Sequence, residues 1–458
     1  MHGLNRQQPF LNLGIYCLEK HKRYGQSIEI NNLEGLIITI PIVIESDGLN
    51  KEAISQALEQ FIGDKQLSKV LLVPPDSTRS HSGAGLITSL LYNLLITRGV
   101  IVHILPALGT HAPMTPVQLR DFFGDIPVEC YINHRWRDGV TAIGEISASF
   151  LKDASEGFFN ESVSVEVADA LLDPSYDLII SIGQVVPHEV VGMANYSKNI
   201  LVGCGGSKFI NCSHMLGASY GVERTLGNID TPVRKLFDYA QRHFLSKLPL
   251  EYVLTVTETT GGQTNIIGLY IGGGRSAFEQ ACSLSQRRNI IHLDRPIQKC
   301  IVWLNEDEFH STWLGNKAIY RTRKAIADGG QLIVLAPGVK SFGEDAEIDR
   351  LVRKYGYVGR ERILSLCKTE KELQSNLSAA AHLIHGSSDG RFEVTYAAPL
   401  IGRDAVEGVG YKYADLAELK SHCNLQTLSS GYNILPNGDE IYFIPNPALG
   451  LWEYKAGE

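Results

Sequence analysis

Three short clusters of reactive side chains lie directly after apolar, strand-like runs. They are the segments 73–79 (VPPDSTR), 109–111 (GTH) and 186–188 (VPH). Ligands of open parallel sheets bind beyond the carboxyl ends of the strands, so loops far apart in sequence can meet there in one crevice. Such a crevice could combine histidine acid/base groups with an arginine that binds a small anion. Each histidine taken alone could equally be a turn or cap residue.

The elements that would position these clusters alternate between apolar strands and amphipathic helices. In the first part of the chain we predict strands at 69–73, 100–108, 176–183 and 198–203, and helices at 83–98, from 116 and from 232. The last two helices each begin with a threonine cap followed by proline. The alternation restarts after 265–274, with strands at 300–304, 331–338 and 440–446, a helix at 315–327 and charged helices over 343–384.

This pattern predicts an α/β protein of two domains, each a mostly parallel sheet covered by helices, with the active site in the crevice between them. A chain of 458 residues is also too long for one ordinary core. We expect residues 1–275 to hold the cofactor and the catalytic histidines, and residues 276–458 to close over the substrate. Whether 440–446 returns to the first domain stays open.

Composition excludes several classes of protein. Hydrophobic residues make up 44% and charged residues 20%, as in globular proteins, and the net charge is −8. This charge argues against nucleic-acid or anionic-membrane partners. We find no run of about 20 apolar residues and no signal peptide in residues 1–25. The 8 cysteines form no CxxC pair, and Cys300 lies in an apolar run, so we expect reduced thiols and a cytoplasmic protein.

Spacing links further residues to the three clusters. Lys198 lies ten residues after His188, His214 sixteen residues after Lys198, and Lys317 twelve residues before the pair Gly329–Gly330. Together with the PPDSTR and GTH turns, this order resembles the lactate racemase family over about residues 70–335. No one of these features would be specific by itself.

The resemblance implies a cofactor, the nickel-pincer nucleotide, a pyridinium mononucleotide whose two sulfur arms hold nickel. It also implies that the protein depends on cofactor-synthesis enzymes for its maturation. Lys198 matches the lysine that is joined to the cofactor as a thioamide, and His214 matches the histidine that ligates nickel, a metal that imidazole suits.

One departure concerns the family's segment SGGAK, which reads ANYSK at 194–198. Lys208 follows a glycine run and looks more like the motif, but spacing from His188 and His214 favours Lys198. The departure leaves open whether the cofactor is covalently held.

The resemblance implies an isomerase that inverts C2 of a 2-hydroxy acid by moving hydride to and from the cofactor. Each face of the planar keto acid then needs its own acid/base group, and we assign these roles to His111 and His188. Arg79 and Lys317 would bind the carboxylate, and Asp76 would orient a histidine or a substrate hydroxyl. Alternatively, Asp76 and Arg79 form a local ion pair that stabilises the turn.

The substrate class is predicted from two segments. Lactate-type members have glutamine three residues before the substrate lysine, where this chain has Leu314, and the segment 382–391 (HLIHGSSDGR) is rich in hydrogen-bonding groups. Both favour a sugar acid such as gluconate over lactate or malate, the alternative substrates. His382 and His385 have a spacing that could bind metal, but we interpret them as a solvated helix end.

Other functions fit less well. A nicotinamide-dependent dehydrogenase should show a GxGxxG turn with an acidic residue about 20 positions later, and 272–275 lacks this spacing. A hydrolytic zinc enzyme should show HExxH, which does not occur. A non-catalytic sugar-acid-binding protein would need Arg79 and Lys317, but has no use for the histidines and Lys198 together.

Overall fold

The strand Lys69–Val73 shows how the first sheet is built. Val70 and Leu72 pack in one hydrophobic core, whereas Leu71 and Val73 pack in a second one on the opposite face. This is the two-residue period of a strand, and it requires helices on both faces of the sheet because neither face is left to solvent.

The computed structural model describes residues 29–31, 37–39, 41–260, 262–422 and 425–455. The segment 1–25, for which we expect no signal peptide, lies outside them. In the first half the strands are β1 (Glu29–Asn31), β2 (Ile37–Thr39), β3 (Ile42–Glu45), β4 (Lys69–Val73), β5 (Ile101–Ile104), β6 (Val140–Ile146), β7 (Val163–Ala168), β8 (Leu178–Gln184), β9 (Pro187–His188), β10 (Gly192–Met193), β11 (Leu250–Thr260) and β12 (Gln263–Ile271). The helices are α1 (Lys51–Ile62), α2 (Ala84–Thr97), α3 (Pro116–Phe123), α4 (Ala148–Ala154), α5 (Ser197–Leu201), α6 (Ser207–Tyr220), α7 (Val222–Thr225), α8 (Pro232–His243) and α9 (Arg275–Asn289).

The first sheet has the strand order β3-β12-β11-β8-β4-β5. β5, β4, β8 and β11 run parallel, and β12 and β3 are antiparallel additions at one edge. The carboxyl ends of β4 and β8 therefore lie at the same edge of the sheet, where the segments 73–79 and 186–188 begin. Helices cover both faces, as predicted.

The second half repeats this architecture. Its strands are β13 (Ile290–Leu293), β14 (Ile297–Trp303), β15 (Ile326–Leu335), β16 (Glu393–Ala397), β17 (Lys412–Tyr413), β18 (Gly431–Ile434), β19 (Glu440–Ile444) and β20 (Leu451–Tyr454). The helices are α10 (Thr312–Gly315), α11 (Lys317–Tyr320), α12 (Ala346–Tyr355), α13 (Arg360–Leu366), α14 (Lys371–Ser375), α15 (Leu377–His385), α16 (Arg403–Gly408) and α17 (Leu416–His422). The sheet order is β17-β16-β15-β14-β19-β18, and only β18 is antiparallel to its neighbour.

The end of the chain stays with the second half. β19 joins the second sheet beside β14, and β20 pairs with β13, so the segment 440–446 does not return to the first sheet. α9 packs on β11 and β12 of the first sheet before the second sheet begins at Ile297. The division of the chain at 275/276 stays a prediction.

The two halves meet through two packed helices. Met215 and Ala218 of α6 are buried in the hydrophobic core of the second half, and α15 packs directly on α6. The Ser378 hydroxyl donates a hydrogen bond to Asn211 Oδ1 at 2.7 Å across this contact. The contact holds the carboxyl-end loops of the first sheet against the second half.

Two predicted elements are wrong. The apolar run 198–203 forms the helix α5 instead of a strand, because short buried helices and strands share the same apolar pattern. The predicted helix 315–327 is two single turns, α10 and α11, followed by β15. Cys300 is buried and free, as predicted. Within the described ranges, no helix combines the length and apolarity needed to cross a membrane.

Candidate active site

A cleft of about 1080 Å³, counting its open mouth, lies between the two halves. The first half contributes charged and polar side chains from the loops after β4 and β8 and from α5. The second half contributes side chains from the region around α10 and α11 and from the segment before β20. The lining residues that matter for chemistry are Arg79, Gln184, His188, Glu189, Lys198, Glu308, Lys317, Tyr320 and Arg321.

Asp76 and His111 form a hydrogen-bonded pair beside this cleft. Asp76 caps the 3-10 turn Ser77–Ser82, with Oδ1 accepting from the backbone N–H and the hydroxyl of Thr78 at 3.2 and 2.5 Å. Its other oxygen, Oδ2, lies 2.6 Å from His111 Nδ1. Burial alone would raise the pKa of Asp76, but the hydrogen bond and charge of His111 and the bond from Thr78 lower it. An ionised Asp76 keeps the proton of His111 on Nδ1 and leaves Nε2 able to accept one.

His188 lies directly on the cleft and is 8% exposed. It forms the short strand β9, whose partner β10 turns the chain back toward α5. Burial lowers the pKa of His188 well below its ordinary value, and the positive charges of Lys198 and Arg79 act in the same direction, while Glu189 opposes them. His188 is therefore neutral at physiological pH.

Lys198 and Lys208, the two candidates for the cofactor lysine, occupy different environments. Lys198 lies in the first turn of α5 and lines the cleft, where burial and then the charge of Arg79 lower its pKa to about 8. Lys208 is 69% exposed and lies 3.4 Å from Glu166. A lysine with a lowered pKa has a larger share of nucleophilic free amine near neutral pH, so Lys198 is the reactive one of the two.

The loop before Lys198 has left-handed backbone at two residues that are not glycine. Asn195 and Tyr196 both have positive φ, 66° and 57°. Left-handed backbone is strained for a tyrosine, so the surroundings must hold it. Tyr196 stacks on Phe278 at a ring distance of 5.3 Å. Fully buried Arg234 donates to the carbonyl oxygens of Met193 and Asn195 at 2.6 and 3.3 Å and to the Ser197 hydroxyl at 3.2 Å.

His214 lies on α6 and presents one free ring nitrogen. Its Nδ1 donates to the carbonyl oxygen of Ile210, one turn earlier, at 2.8 Å. Burial lowers the pKa of His214, and the charge of Lys198 acts in the same direction. A neutral imidazole whose second nitrogen is fixed by a carbonyl is the arrangement usual for histidine metal ligands.

Arg79 and Lys317 face the cleft from opposite halves. Lys317 lies in the first turn of α11, and burial followed by the charges of Arg79 and Arg321 lowers its pKa to about 8. Within the described residues Arg79 forms no salt bridge, and the carboxylate of Asp76 is occupied by His111 and Thr78. The alternative prediction of an Asp76–Arg79 ion pair is therefore wrong. Arg79 is free to bind an anion.

The segment 382–391 does not line the cleft. His382 and His385 are 6% and 5% exposed, so the interpretation as a solvated helix end is wrong. His382 Nε2 bonds with the Tyr357 hydroxyl at 2.9 Å, and Arg391 donates to Asp328 and to two backbone carbonyls. Leu314 packs in the second core. Neither predicted substrate segment lines the cleft, because both pack into the hydrophobic core of the second half.

Sequence reasoning missed several cleft residues. Glu189 follows His188 directly and could have been noticed from that adjacency, but its importance depends on which side chains fold around it. Arg321 donates to the backbone carbonyl of Pro187 at 3.2 Å and of Gly450 at 2.9 Å, which no sequence pattern indicates. A wall of uncharged polar side chains was also missed: Ser82, Gln184, Thr257, Thr259 and Asn289.

The donor chemistry of the cleft fits the implied cofactor. In the part of the chain that the structure describes, no group of three or more His, Cys, Asp or Glu side chains is arranged to hold a metal. A metal bound by His214 would therefore need further donors from an organic ligand, which the sulfur arms of the nickel-pincer nucleotide would supply. Lys198 lines the cleft with its amine partly deprotonated near neutral pH.

Fold and cleft together define a two-sheet α/β protein whose cleft places the cationic side chains of Arg79 and Lys317 close to His188. A family model described as the lactate racemase N-terminal domain matches residues 22–225. Residues 22–225 are thus similar to the N-terminal domain of lactate racemases. No curated protein matches the chain.

Two solved structures extend the likeness to both halves. A structural-genomics crystal structure of a Thermotoga maritima protein is 26% identical, with a TM-score of 0.77, and the match covers 90% of this chain and 100% of that one. The lactate racemase apoprotein from Thermoanaerobacterium thermosaccharolyticum is 17% identical, with a TM-score of 0.66, over 93% of this chain and 100% of that one. At 17% identity the second match establishes the fold.

Proposed function

We propose that the protein is a racemase or epimerase that inverts C2 of a 2-hydroxy acid with a nickel-pincer nucleotide. The observation that carries this proposal is the position of His188 on a cleft that Arg79 and Lys317 make cationic, with the hydrogen-bonded Asp76–His111 pair in the adjoining loops. A binding protein would use the cations but would have no need of two differently supported histidines. The similarity of residues 22–225 to a lactate racemase N-terminal domain also supports the proposal.

The proposal gives each of the predicted site residues a separate role. Arg79, with its planar fork, and Lys317, as a point charge, bind the substrate carboxylate. His111 accepts or returns the hydroxyl proton at Nε2 on one face while Asp76 stabilises the imidazolium that forms. His188 exchanges the proton for the opposite stereoisomer. Lys198 and His214 would hold the cofactor, Lys198 through its amine and His214 through Nε2.

The cofactor, when bound, supplies a hydride acceptor that also returns the hydride to the planar keto acid. The protein excludes water from this step by enclosing the substrate between its two halves.

We further propose that the substrate is a polyhydroxylated acid such as gluconate. With Leu314 and 382–391 away from the cleft, this proposal is supported by the uncharged polar wall, from Ser82 to Asn289. Its amide and hydroxyl groups already bond within the protein, as Gln184 Nε2 does to the Thr257 hydroxyl at 2.6 Å, and their remaining donor and acceptor positions can pair with the hydroxyls of a sugar acid. Lactate and malate remain the alternative substrates.

The test uses protein produced together with nickel and the cofactor-synthesis enzymes. Single stereoisomers of gluconate, lactate and malate are incubated with it, and the configuration at C2 is followed by chiral chromatography. We expect inversion by the loaded protein and none by metal-free, nucleotide-free protein, with gluconate fastest. Full activity without cofactor would overturn the mechanism. Binding of gluconate without inversion would favour a binding protein, and faster lactate or malate inversion would overturn the substrate class alone.

A further inference from the structure

The carboxylate of Glu189 lies beside His188 in the cleft. Its Oε2 is 3.6 Å from His188 Nδ1, and its side chain is 21% exposed. Both residues line the same wall of the cleft. The other acid/base candidate, His111, has a carboxylate on the same ring nitrogen, Nδ1. Each histidine thus has a carboxylate next to Nδ1, within hydrogen-bond distance at His111 and just beyond it at His188.

The hydrogen bond at His188 Nδ1 determines where its proton lies. The backbone N–H of Val190 donates to Nδ1 at 3.1 Å, so in this geometry Nδ1 accepts and carries no hydrogen. Neutral His188 then carries its hydrogen on Nε2 and cannot take a proton there. To act as a base at Nε2, the ring needs its hydrogen on Nδ1, and that hydrogen needs an acceptor. The Val190 N–H is a donor, so it must release Nδ1 in that tautomer, and the Glu189 carboxylate, 3.6 Å away, is the neighbouring acceptor that can move into hydrogen-bond distance.

The surroundings keep Glu189 ionised for this task. Burial would raise its pKa, but the charges of His188, His385 and Arg321 hold it well below its ordinary value. His188 itself is faced by Lys198, Arg79 and His214, which lower its pKa, and by Glu189, which raises it. Glu189 is thus the group among these that favours protonated His188.

We propose that Glu189 is a positioning residue that accepts a hydrogen bond from His188 Nδ1–H and so makes Nε2 of His188 a proton acceptor. In the proton transfer, the substrate hydroxyl gives its proton to Nε2, and the imidazolium formed keeps its Nδ1–H on the Glu189 carboxylate, which is not itself protonated. The catalytic consequence rests on the proposed function. The pairing of Glu189 with His188 is independent of the proposed function, because it can be measured without substrate or cofactor.

The test is ¹⁵N NMR of protein labelled at histidine, with His188 assigned from the variant His188→Asn. Wild type is compared with Glu189→Gln, which keeps the shape and removes the charge. Glu308→Gln is the matched control: Glu308 lines the same cleft but bonds with Asn446 at 3.0 Å. We expect Glu189→Gln to lower the pKa of His188 by about one unit and to reduce the Nδ1–H form. Glu189→Asp should lie between wild type and Glu189→Gln.

A second readout is the kcat and KM of the loaded protein. We expect Glu189→Gln to reduce kcat about 10–100-fold with little change in KM, the size of effect typical of groups that orient histidines, and Glu189→Asp to restore part of it. Identical His188 spectra in Glu189→Gln and Glu308→Gln would overturn the inference even if the protein inverts 2-hydroxy acids. A shifted His188 in a protein that inverts nothing would leave the pairing standing and overturn the proposed function. If Glu189→Gln does not fold, the Glu189→Asp spectrum decides.

Discussion

Asp76 Oδ2 lies 2.6 Å from His111 Nδ1, while Asp76 Oδ1 is held by the backbone and the hydroxyl of Thr78. The turn that follows β4 thus holds the Asp76 carboxylate in place. The carboxylate then orients His111, which lies in the loop after β5. This relation joins two loops that lie 35 residues apart. It gives His111 one orientation and one tautomer, which is what a general base requires.

Asp76→Asn should remove this control of the tautomer. An asparagine amide can donate to His111 Nδ1, which would place the ring hydrogen on Nε2 and block its action as a base. We expect kcat of the loaded protein to fall by about 10²–10⁴-fold while circular dichroism and cofactor content stay near wild type. Asp138→Asn, which removes an exposed carboxylate, is the control. A loss below tenfold in Asp76→Asn would contradict the role.

The same pair predicts a pH dependence of stability. The pKa of Asp76 in the folded protein is lowered, so its ionised form stabilises the fold above its unfolded pKa of about 3.9. This contribution is lost as the pH falls through the folded pKa. We expect the stability difference between wild type and Asp76→Asn in urea unfolding to be full at pH 7 and to shrink below about pH 4. A difference that stays constant with pH would contradict the ionised pair.

Lys198 and Lys208 offer a direct comparison of the two lysine candidates. Lys198→Arg keeps a positive charge but cannot form a thioamide, so we expect it to lose any covalently held nucleotide and most activity. Lys208→Arg, at an exposed position, should match wild type. Intact mass and absorbance of protein produced with the cofactor-synthesis enzymes measure both outcomes. Cofactor mass retained in Lys198→Arg and lost in Lys208→Arg would reverse the assignment.

His214→Ala should lower the nickel content without unfolding the protein. His214 has its Nδ1 bound to the Ile210 carbonyl and leaves Nε2 for a metal. We expect at least a tenfold lower nickel affinity, measured by metal analysis after dialysis against a chelator. His292→Ala removes a histidine that is 62% exposed and should bind nickel like wild type. Equal nickel content in both variants would show that His214 is no ligand.

Arg234→Met should disturb the loop that carries Lys198. The change removes a buried charge, which is favourable, but leaves the carbonyls of Met193 and Asn195 and the Ser197 hydroxyl without their donor. Each buried group left unsatisfied costs about 1–3 kcal/mol. We expect this cost to exceed the gain from removing the buried charge, so the free energy of unfolding should fall by at least about 2 kcal/mol. Arg242→Met on the same helix, at an exposed position, should change it little. An unchanged Tm in Arg234→Met would contradict this account.

The sequence by itself was enough to place the local features of this protein. The strand 69–73, the helix behind it, the capped starts of α3 and α8, and the polar turns at strand ends all follow from periodicity and turn chemistry within a few residues. The parallel sheet then implied that separate turns meet at one edge. For this reason the cleft contains Arg79, His188, Lys198 and Lys317, which the sequence had singled out.

Only the tertiary structure decided how those residues are supported and which others join them. The apolar run 198–203 became a helix because the positive-φ turn at Asn195 and Tyr196, held by Arg234, redirects the chain, and no local pattern records that contact. The side chains of 382–391 pack inside the second half, whereas Glu189 lines the cleft, where the charges of His188, His385 and Arg321 act on it. Burial and charge at these positions come from helices and loops far apart in sequence, so their pKa values and partners exist only once the two halves have packed together.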